Sequence, residues 1–250
     1  MNIASAIFDR SCPDLKSCPD ESLPEFAFIG RSNVGKSSLL NMLAGKHGLA
    51  RVSPTPGFTK LINIFTMNKT WRLVDLPGYG FAQVARADRS AFNEAVADYL
   101  EHRPNLCCTF LLIDSGLPPQ PIDLEFVQWL AGLALPFVLV FTKVDRGTPE
   151  TVAANMELFK AAIAGWFEKL PEIYTCSATT GSGRGQLLGV VDEILAGGSA
   201  PEAVDETPLP PREIEPPFSM KIRAGNDRQA EARPQKVHGA KLRSKAARPW

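Results

Sequence analysis

The segment Gly30-Arg31-Ser32-Asn33-Val34-Gly35-Lys36-Ser37 constrains this chain more than any other feature, because it matches G-x-x-x-x-G-K-[ST]. It follows a short apolar run, EFAFIG (Glu25 to Gly30), and precedes SSLLNMLAG, which reads as a helix ending near Gly45. Strand, glycine loop and helix start in that order make a cradle for phosphate. The glycines let the backbone curl so that successive N–H groups point at one anion, and the helix N-terminus reinforces them. In such a loop Lys36 reaches the β- and γ-phosphates of a nucleoside triphosphate, and the Ser37 hydroxyl ligates Mg²⁺.

The rest of the chain supplies the elements such a loop needs. LINIFTM and TWRLVDL read as two strands joined in a hairpin at Asn68-Lys69. CCTFLLIDS, PFVLVFTKVD and IYTCSA read as further strands, the first two of them buried. Between them lie helices over 89–102, IDLEFVQWLAG, 149–168 and GRGQLLGVVDEILAG, with Phe159, Ile163 and Trp166 sharing a face of the third. Apolar strands alternating with helices predict an α/β fold of three layers, a mostly parallel sheet with one antiparallel strand and helices on both faces. Three parts follow from composition: an N-terminal extension over 1–23, a nucleotide-binding domain over 24–197, and a tail over 198–250.

Two more motifs choose the nucleotide. Asp75-Leu76-Pro77-Gly78 ends TWRLVDL, 45 residues after Gly30. D-x-x-G alone arises about once per chain by chance. At a strand end behind a phosphate loop, Asp75 would hold Mg²⁺ through water and the Gly78 N–H would sense the γ-phosphate. Thr142-Lys143-Val144-Asp145 ends PFVLVF. A carboxylate at Asp145 can accept hydrogen bonds from N1–H and the 2-amino group of guanine, whereas adenine offers neither donor. The stem of Lys143 can cover the base face. Cys176-Ser177-Ala178 closes the last strand, where a backbone N–H can meet the guanine carbonyl oxygen. The loop over 47–60 offers Thr55 and Thr59 as a second hydroxyl ligand to Mg²⁺, and spacing does not choose between them.

GRSNVGKSSLLN, TPGFTKLINIF, DLPGYGFAQV and TKVD, taken in order, resemble the EngB/YsxC (YihA) family of ribosome-biogenesis GTP-binding proteins, among the TrmE-Era-EngA-YihA-septin-like P-loop GTPases. The resemblance spans about residues 24–196. It implies a small GTPase-like domain, Mg²⁺-dependent hydrolysis of GTP to GDP, and Thr59 as the magnesium ligand beside Ser37 and Asp75. It further implies that Gly57, Phe58, Thr59, Lys60 and Leu61 line the nucleotide, and that Lys36, Thr59 and Gly78 serve catalysis. A large ribosomal subunit partner and a need in cell division and septation are implied as well. Phe58 stands where a basic residue is expected, which touches a loop-surface contact and not the metal ligand. Related GTPases with the same loop use the residue matching Asn33 to bind K⁺ near the phosphates, a cation that can stand in for an arginine finger. The residue after Gly78 is Tyr79, where small signalling GTPases carry a water-orienting Gln, so unaided turnover is expected to be slow. Arg31 is expected to face solvent.

Composition narrows the setting. No run of 18 apolar residues is present, so no membrane span is expected, and MNIASAIFDRSCPD lacks the pattern of a secretory signal. A cytoplasmic protein is the default, and a monomer is expected; the five cysteines are scattered, which argues for reduced thiols and against a disulfide framework or paired zinc ligands. Net charge is zero, yet 219–250 holds nine basic residues against Asp227 and Glu231, a balance of +7. A polyanion such as rRNA suits that tail, with base-specific reading unlikely for want of aromatic groups. The tail is expected to be largely disordered. DNA is not an expected partner.

Overall fold

The computed structural model of this chain describes residues 1–19, 23–50, 61–80, 86–133 and 135–197, with residues 86–93 described by backbone alone. The tail and the loop carrying Thr55 lie outside the described residues. Seven strands, β1 (Ala6–Cys12), β2 (Glu25–Gly30), β3 (Ile62–Met67), β4 (Trp71–Asp75), β5 (Leu106–Asp114), β6 (Phe137–Thr142) and β7 (Ile173–Thr175), form one sheet in the order β1-β3-β4-β2-β5-β6-β7. Among these, β3 alone runs against the rest, pairing antiparallel with β1 and β4; the other pairings are parallel. Among the described residues five α-helices accompany the sheet: α1 (Lys36–Ala44), α2 (Arg86–His102), α3 (Pro121–Gly132), α4 (Pro149–Ile163) and α5 (Arg184–Leu195).

Side-chain alternation along β2 explains the three layers. Ala27 and Ile29 face a core shared with Tyr99 of α2, Phe126 and Leu130 of α3, and Phe159 and Ile163 of α4. Phe26 and Phe28 face the other core, with Leu39, Leu40 and Leu43 of α1 and Leu187 and Leu188 of α5. A strand covered on both faces carries no polar alternation, which is why EFAFIG reads as one apolar run.

Local chemistry sets the boundaries. α1 ends on Gly45 at φ 62°, with Gly45 N–H donating to the Met42 carbonyl and Lys46 N–H to that of Asn41, a Schellman stop. α4 starts at Thr148, whose hydroxyl accepts from Thr151 N–H, with Pro149 in the first helical position. It is shorter than the expected helix over 149–168, because the chain tightens into a 3-10 turn over Ala164–Trp166. The β3–β4 connection places Asn68 at φ 49° and Lys69 at φ 61°, the left-handed pair of a type I′ turn closed by Thr70 N–H donating to the Met67 carbonyl at 3.0 Å.

Residues 1–23, read as an extension, belong to the sheet through β1. Only Ala6 and Cys12 of that strand are buried, so the alternation that marks a half-buried strand is missing from its sequence. Its pairing is secured from outside: the Asn68 carboxamide accepts from Ala4 and Ser5 N–H at 2.8 and 3.1 Å.

The N-terminal ends of the strands are locked by a buried charge. Glu25 is fully buried; Arg103 donates to both its oxygens at 2.7 and 2.8 Å, the Tyr99 hydroxyl at 2.5 Å and Arg72 at 3.2 Å. Burial by itself pushes the Glu25 carboxyl up, but the bonds from Arg103, Tyr99 and Arg72 together hold it below the usual range. The opposite, C-terminal ends are left for ligand chemistry, as in other open parallel sheets.

Candidate nucleotide-binding site

Gly30 closes β2 because nothing larger fits: a Cβ there would lie 2.7 Å from the Leu112 carbonyl oxygen and 2.8 Å from Leu112 Cβ. Arg31, Ser32, Asn33 and Val34 then curl, with Asn33 at φ 64° and Val34 N–H donating to the Arg31 carbonyl at 3.1 Å. Gly35, at φ 102°, caps α1 with no side chain on its first N–H groups. The first turn of a helix has N–H donors without intrahelical acceptors, so Lys36 and Ser37 open a site that fits a phosphate group. Lys36 is nearly buried and its Nζ pairs with the Asp75 carboxylate.

The D-x-x-G segment is stitched onto this loop. Leu76 N–H donates to the Phe28 carbonyl at 3.0 Å, Tyr79 N–H to that of Gly30 at 3.2 Å, and Ser32 N–H to that of Tyr79 at 3.0 Å. Leu76, Pro77 and Gly78 are buried beneath it. A Cβ on Gly78 would sit 2.9 Å from the Gly30 carbonyl oxygen, so the approach of the two loops depends on glycine. Asn63, directly across from Asp75 in the β3–β4 pairing, reaches the second Asp75 oxygen at 3.5 Å. Ser37 and Asp75 offer a hydroxyl and a carboxylate, hard oxygen donors of the kind Mg²⁺ takes. Thr59 lies outside the described residues, as do Gly57, Phe58 and Lys60; Leu61 enters β3 with 40% of its surface exposed.

One expectation about this region changes. Arg31 does not face solvent: its side chain is 22% exposed and its Nη2 lies 3.4 Å from buried Asp123 of α3. Tyr79 is buried, its ring stacked on Phe126 at 4.5 Å and its hydroxyl donating to Asp123 at 3.0 Å. Burial, then the Asp123 carboxylate, push the phenol well above its ordinary value and keep it a donor. Its polar end therefore points into the domain, where it cannot orient water at a phosphate.

β6 and β7 carry the base end. The Thr142 hydroxyl donates to the Val34 carbonyl at 2.6 Å, tying the T-K-V-D segment to the phosphate loop. Lys143, at φ 61°, sends its Nζ to the Asn33 carbonyl at 2.7 Å and to Asp114 at 2.6 Å. Its stem passes over the loop, with Cε 3.6 Å from where a Gly35 Cβ would stand. Val144 N–H donates to the Cys176 carbonyl at 3.4 Å, bringing the last strand alongside. Asp145 is exposed, and the Ser177 hydroxyl, with a smaller contribution from Thr179, holds its carboxyl below the usual range. Cys176 and Ser177 are buried and Ala178 half-buried; Gly181 N–H donating to the Ser177 carbonyl and Thr180 N–H to its hydroxyl close the turn. Asp114, Asp123 and Thr179 escaped the sequence reading. Asp114 ends β5 as a lone acid, and no short motif marks the other two.

A glycine-built cradle at a helix N-terminus, a buried carboxylate beside it and an exposed carboxylate after β6 are the arrangement of a P-loop GTPase. Residues 25–143 match the family described as 50S ribosome-binding GTPase. Over 194 residues the chain is 45% identical to the probable GTP-binding protein EngB of Christiangramia forsetii, covering 78% of this chain and 98% of that one. The crystal structure of a probable GTP-binding protein engB superposes with a TM-score of 0.57 at 24% identity, covering 69% of this chain and 99% of that one, a likeness of fold. Aquifex aeolicus Era bound to GDP·AlF4⁻ gives a TM-score of 0.55 at 25% identity over 76% of this chain and 60% of its own. The chain belongs to the EngB family of GTP-binding proteins, and its activity is that of a GTPase. Among the described residues no helix is long and apolar enough to cross a membrane.

Proposed function

We propose that this chain is a slow, magnesium-dependent GTP switch acting in assembly of the large ribosomal subunit, with loss of normal division and septation as the cellular consequence. The observation that carries the reading is the pairing of an ionised Asp145 at the base end with a glycine-built cradle at the phosphate end. On this reading the cradle over 30–37 binds the phosphates, Lys36 neutralises them, and Ser37, Asp75 and Thr59 hold Mg²⁺. Magnesium supplies charge neutralisation at the transferring phosphoryl group. Gly78 N–H meets the γ-phosphate, and Cys176, Ser177 and Ala178 flank guanine. With Tyr79 and Arg31 both turned inward, no side chain among the described residues takes the place of a water-orienting amide or an in-cis arginine. That supports weak unaided turnover and assistance from a partner or from K⁺ at Asn33. Equal turnover in K⁺ and Na⁺ would remove the cation from the account.

The large-subunit assignment is supported by the family description, which names 50S binding. It is tested by sedimenting extract of the source cell with a non-hydrolysable GTP analogue and with GDP. Co-migration with large subunits only in the analogue is the expected result; co-migration in neither defeats the assignment.

A second reading makes the chain an RNA-binding module in which GTP is a conformational ligand. It is favoured by the +7 balance over 219–250 and by the 22% of the chain left outside the alignment with the Christiangramia protein. RNA affinity equal in the GDP, analogue and nucleotide-free forms, and lost on deleting 219–250, would select it. A cytoplasmic monomer serves either reading.

A further inference from the structure

One carboxylate outside the recognised motifs joins three elements of the site. Asp123 occupies the first turn of α3, its N–H donating to the Gln120 carbonyl at 3.0 Å, and it is 1% exposed. One oxygen accepts from the Tyr79 hydroxyl at 3.0 Å and the other faces Arg31 Nη2 at 3.4 Å. A buried carboxylate is costly unless paired, and here its partners come from the phosphate loop and from the residue that follows Gly78. Arg31 Nε is buried without a hydrogen-bond partner, so Asp123 is the group that orients this guanidinium. Phe126, three residues further along α3, stacks on the Tyr79 ring and fixes its plane.

Above these side chains the backbones of the same two residues form an isolated β-bridge, Arg31 with Tyr79. Gly78 is thus held between a backbone bridge and a side-chain junction, close enough that a Cβ would stand 3.4 Å from Ser32 N. A shift of Tyr79 reaches the Gly78 N–H through only the φ and ψ of Gly78, and a shift of Arg31 reaches it through the backbone bridge to Tyr79.

We propose that Asp123 is a positioning residue for the γ-phosphate: through Tyr79 and Arg31 it sets where the Gly78 N–H stands, and so how well the protein tells GTP from GDP. This rests on the assignment of Gly78 to the γ-phosphate made above. Asp123 touches no substrate. It links α3 to the phosphate site, and since coupling is reciprocal, occupation by a triphosphate biases α3 in return.

The test compares the full chain with Tyr79→Phe, which keeps the ring stack, and Asp123→Asn, which keeps an acceptor for the phenol and removes the charge facing Arg31. Affinities for a non-hydrolysable GTP analogue and for GDP are measured by titration calorimetry with Mg²⁺, and thermal midpoints are recorded alongside. The preference for analogue over GDP is expected to fall about five- to tenfold in each variant, at the lower end of usual coupling. GDP affinity is expected to stay within about twofold, since GDP has no group at Gly78. Equal weakening of both nucleotides together with a lowered midpoint means a purely structural role and overturns the proposal, as does an unchanged preference. Lys36→Ala is the control for the site itself. If it binds both nucleotides as wild type does, the phosphate assignment fails and this inference with it; if it loses both, the outcome of the two variants judges the inference alone.

Discussion

Replacing Asp145 by Asn separates nucleotide recognition from folding. The side chain is exposed and at a loop, so its removal is expected to leave the thermal midpoint of the free protein essentially unchanged, as for surface substitutions generally. On the proposed assignment the carboxylate accepts two hydrogen bonds from the guanine edge, each worth about 1.5–3 kcal/mol because the acceptor is charged. An exposed Asp carboxyl is ionised at neutral pH in any case, so no deprotonation cost reduces that gain. An Asn carbonyl can still accept one bond, while its NH2 opposes the second donor. The net loss should therefore be about 3–5 kcal/mol, which weakens binding by roughly 10²- to 10³-fold or somewhat more. Xanthine carries a carbonyl where guanine carries the 2-amino group, so the Asn variant should bind xanthosine diphosphate better than GDP. Titration calorimetry with GDP, xanthosine diphosphate and ADP reads all three, with thermal unfolding as the control on folding. Retention of GDP affinity within about threefold of wild type, or a gain for ADP, would refute the assignment of Asp145 to the guanine edge.

Three further outcomes follow from the packing. Glu25→Gln leaves Arg72 and Arg103 facing a neutral group in the interior and should cost about 3–5 kcal/mol in urea unfolding. Because the folded carboxyl is held below its ordinary value of 4.5, the Glu25 contribution is complete above that pH. It fades as pH falls through the lowered folded value, so the gap between wild type and variant should narrow on acidification and stay constant from pH 6 upward, about where unfolded carboxylates are fully ionised. Gly183→Ala should destabilise by about 1–3 kcal/mol and weaken GDP binding, since φ is 81° and the new Cβ would fall 2.1 Å from the Thr175 carbonyl beside Ser177; an unchanged urea midpoint would contradict this. Tyr79→Gln should not accelerate GTP turnover in a phosphate-release assay, and should lose about 2–5 kcal/mol of stability with the ring stack gone; faster turnover would show that this side chain reaches the phosphates.

The local geometry of the candidate site was legible in the sequence wherever one short segment carries it. Gly30 to Ser37 encode their own curl and helix start, and the hairpin at Asn68-Lys69 is written in its two turn residues, because backbone preference is a local property. β2, β4 and β6 were equally readable, since burial on both faces leaves a near-continuous apolar run. β1 was not, because an edge strand with five exposed residues looks like loop until Asn68 and β3 are beside it. Tertiary structure alone decided that Arg31 and Tyr79 turn inward onto Asp123, and that Arg72 and Arg103 converge on the one Glu25 carboxylate. These pairs join residues 44 to 92 positions apart in the chain, and the burial that makes them strong exists only once the sheet and helices have closed around them.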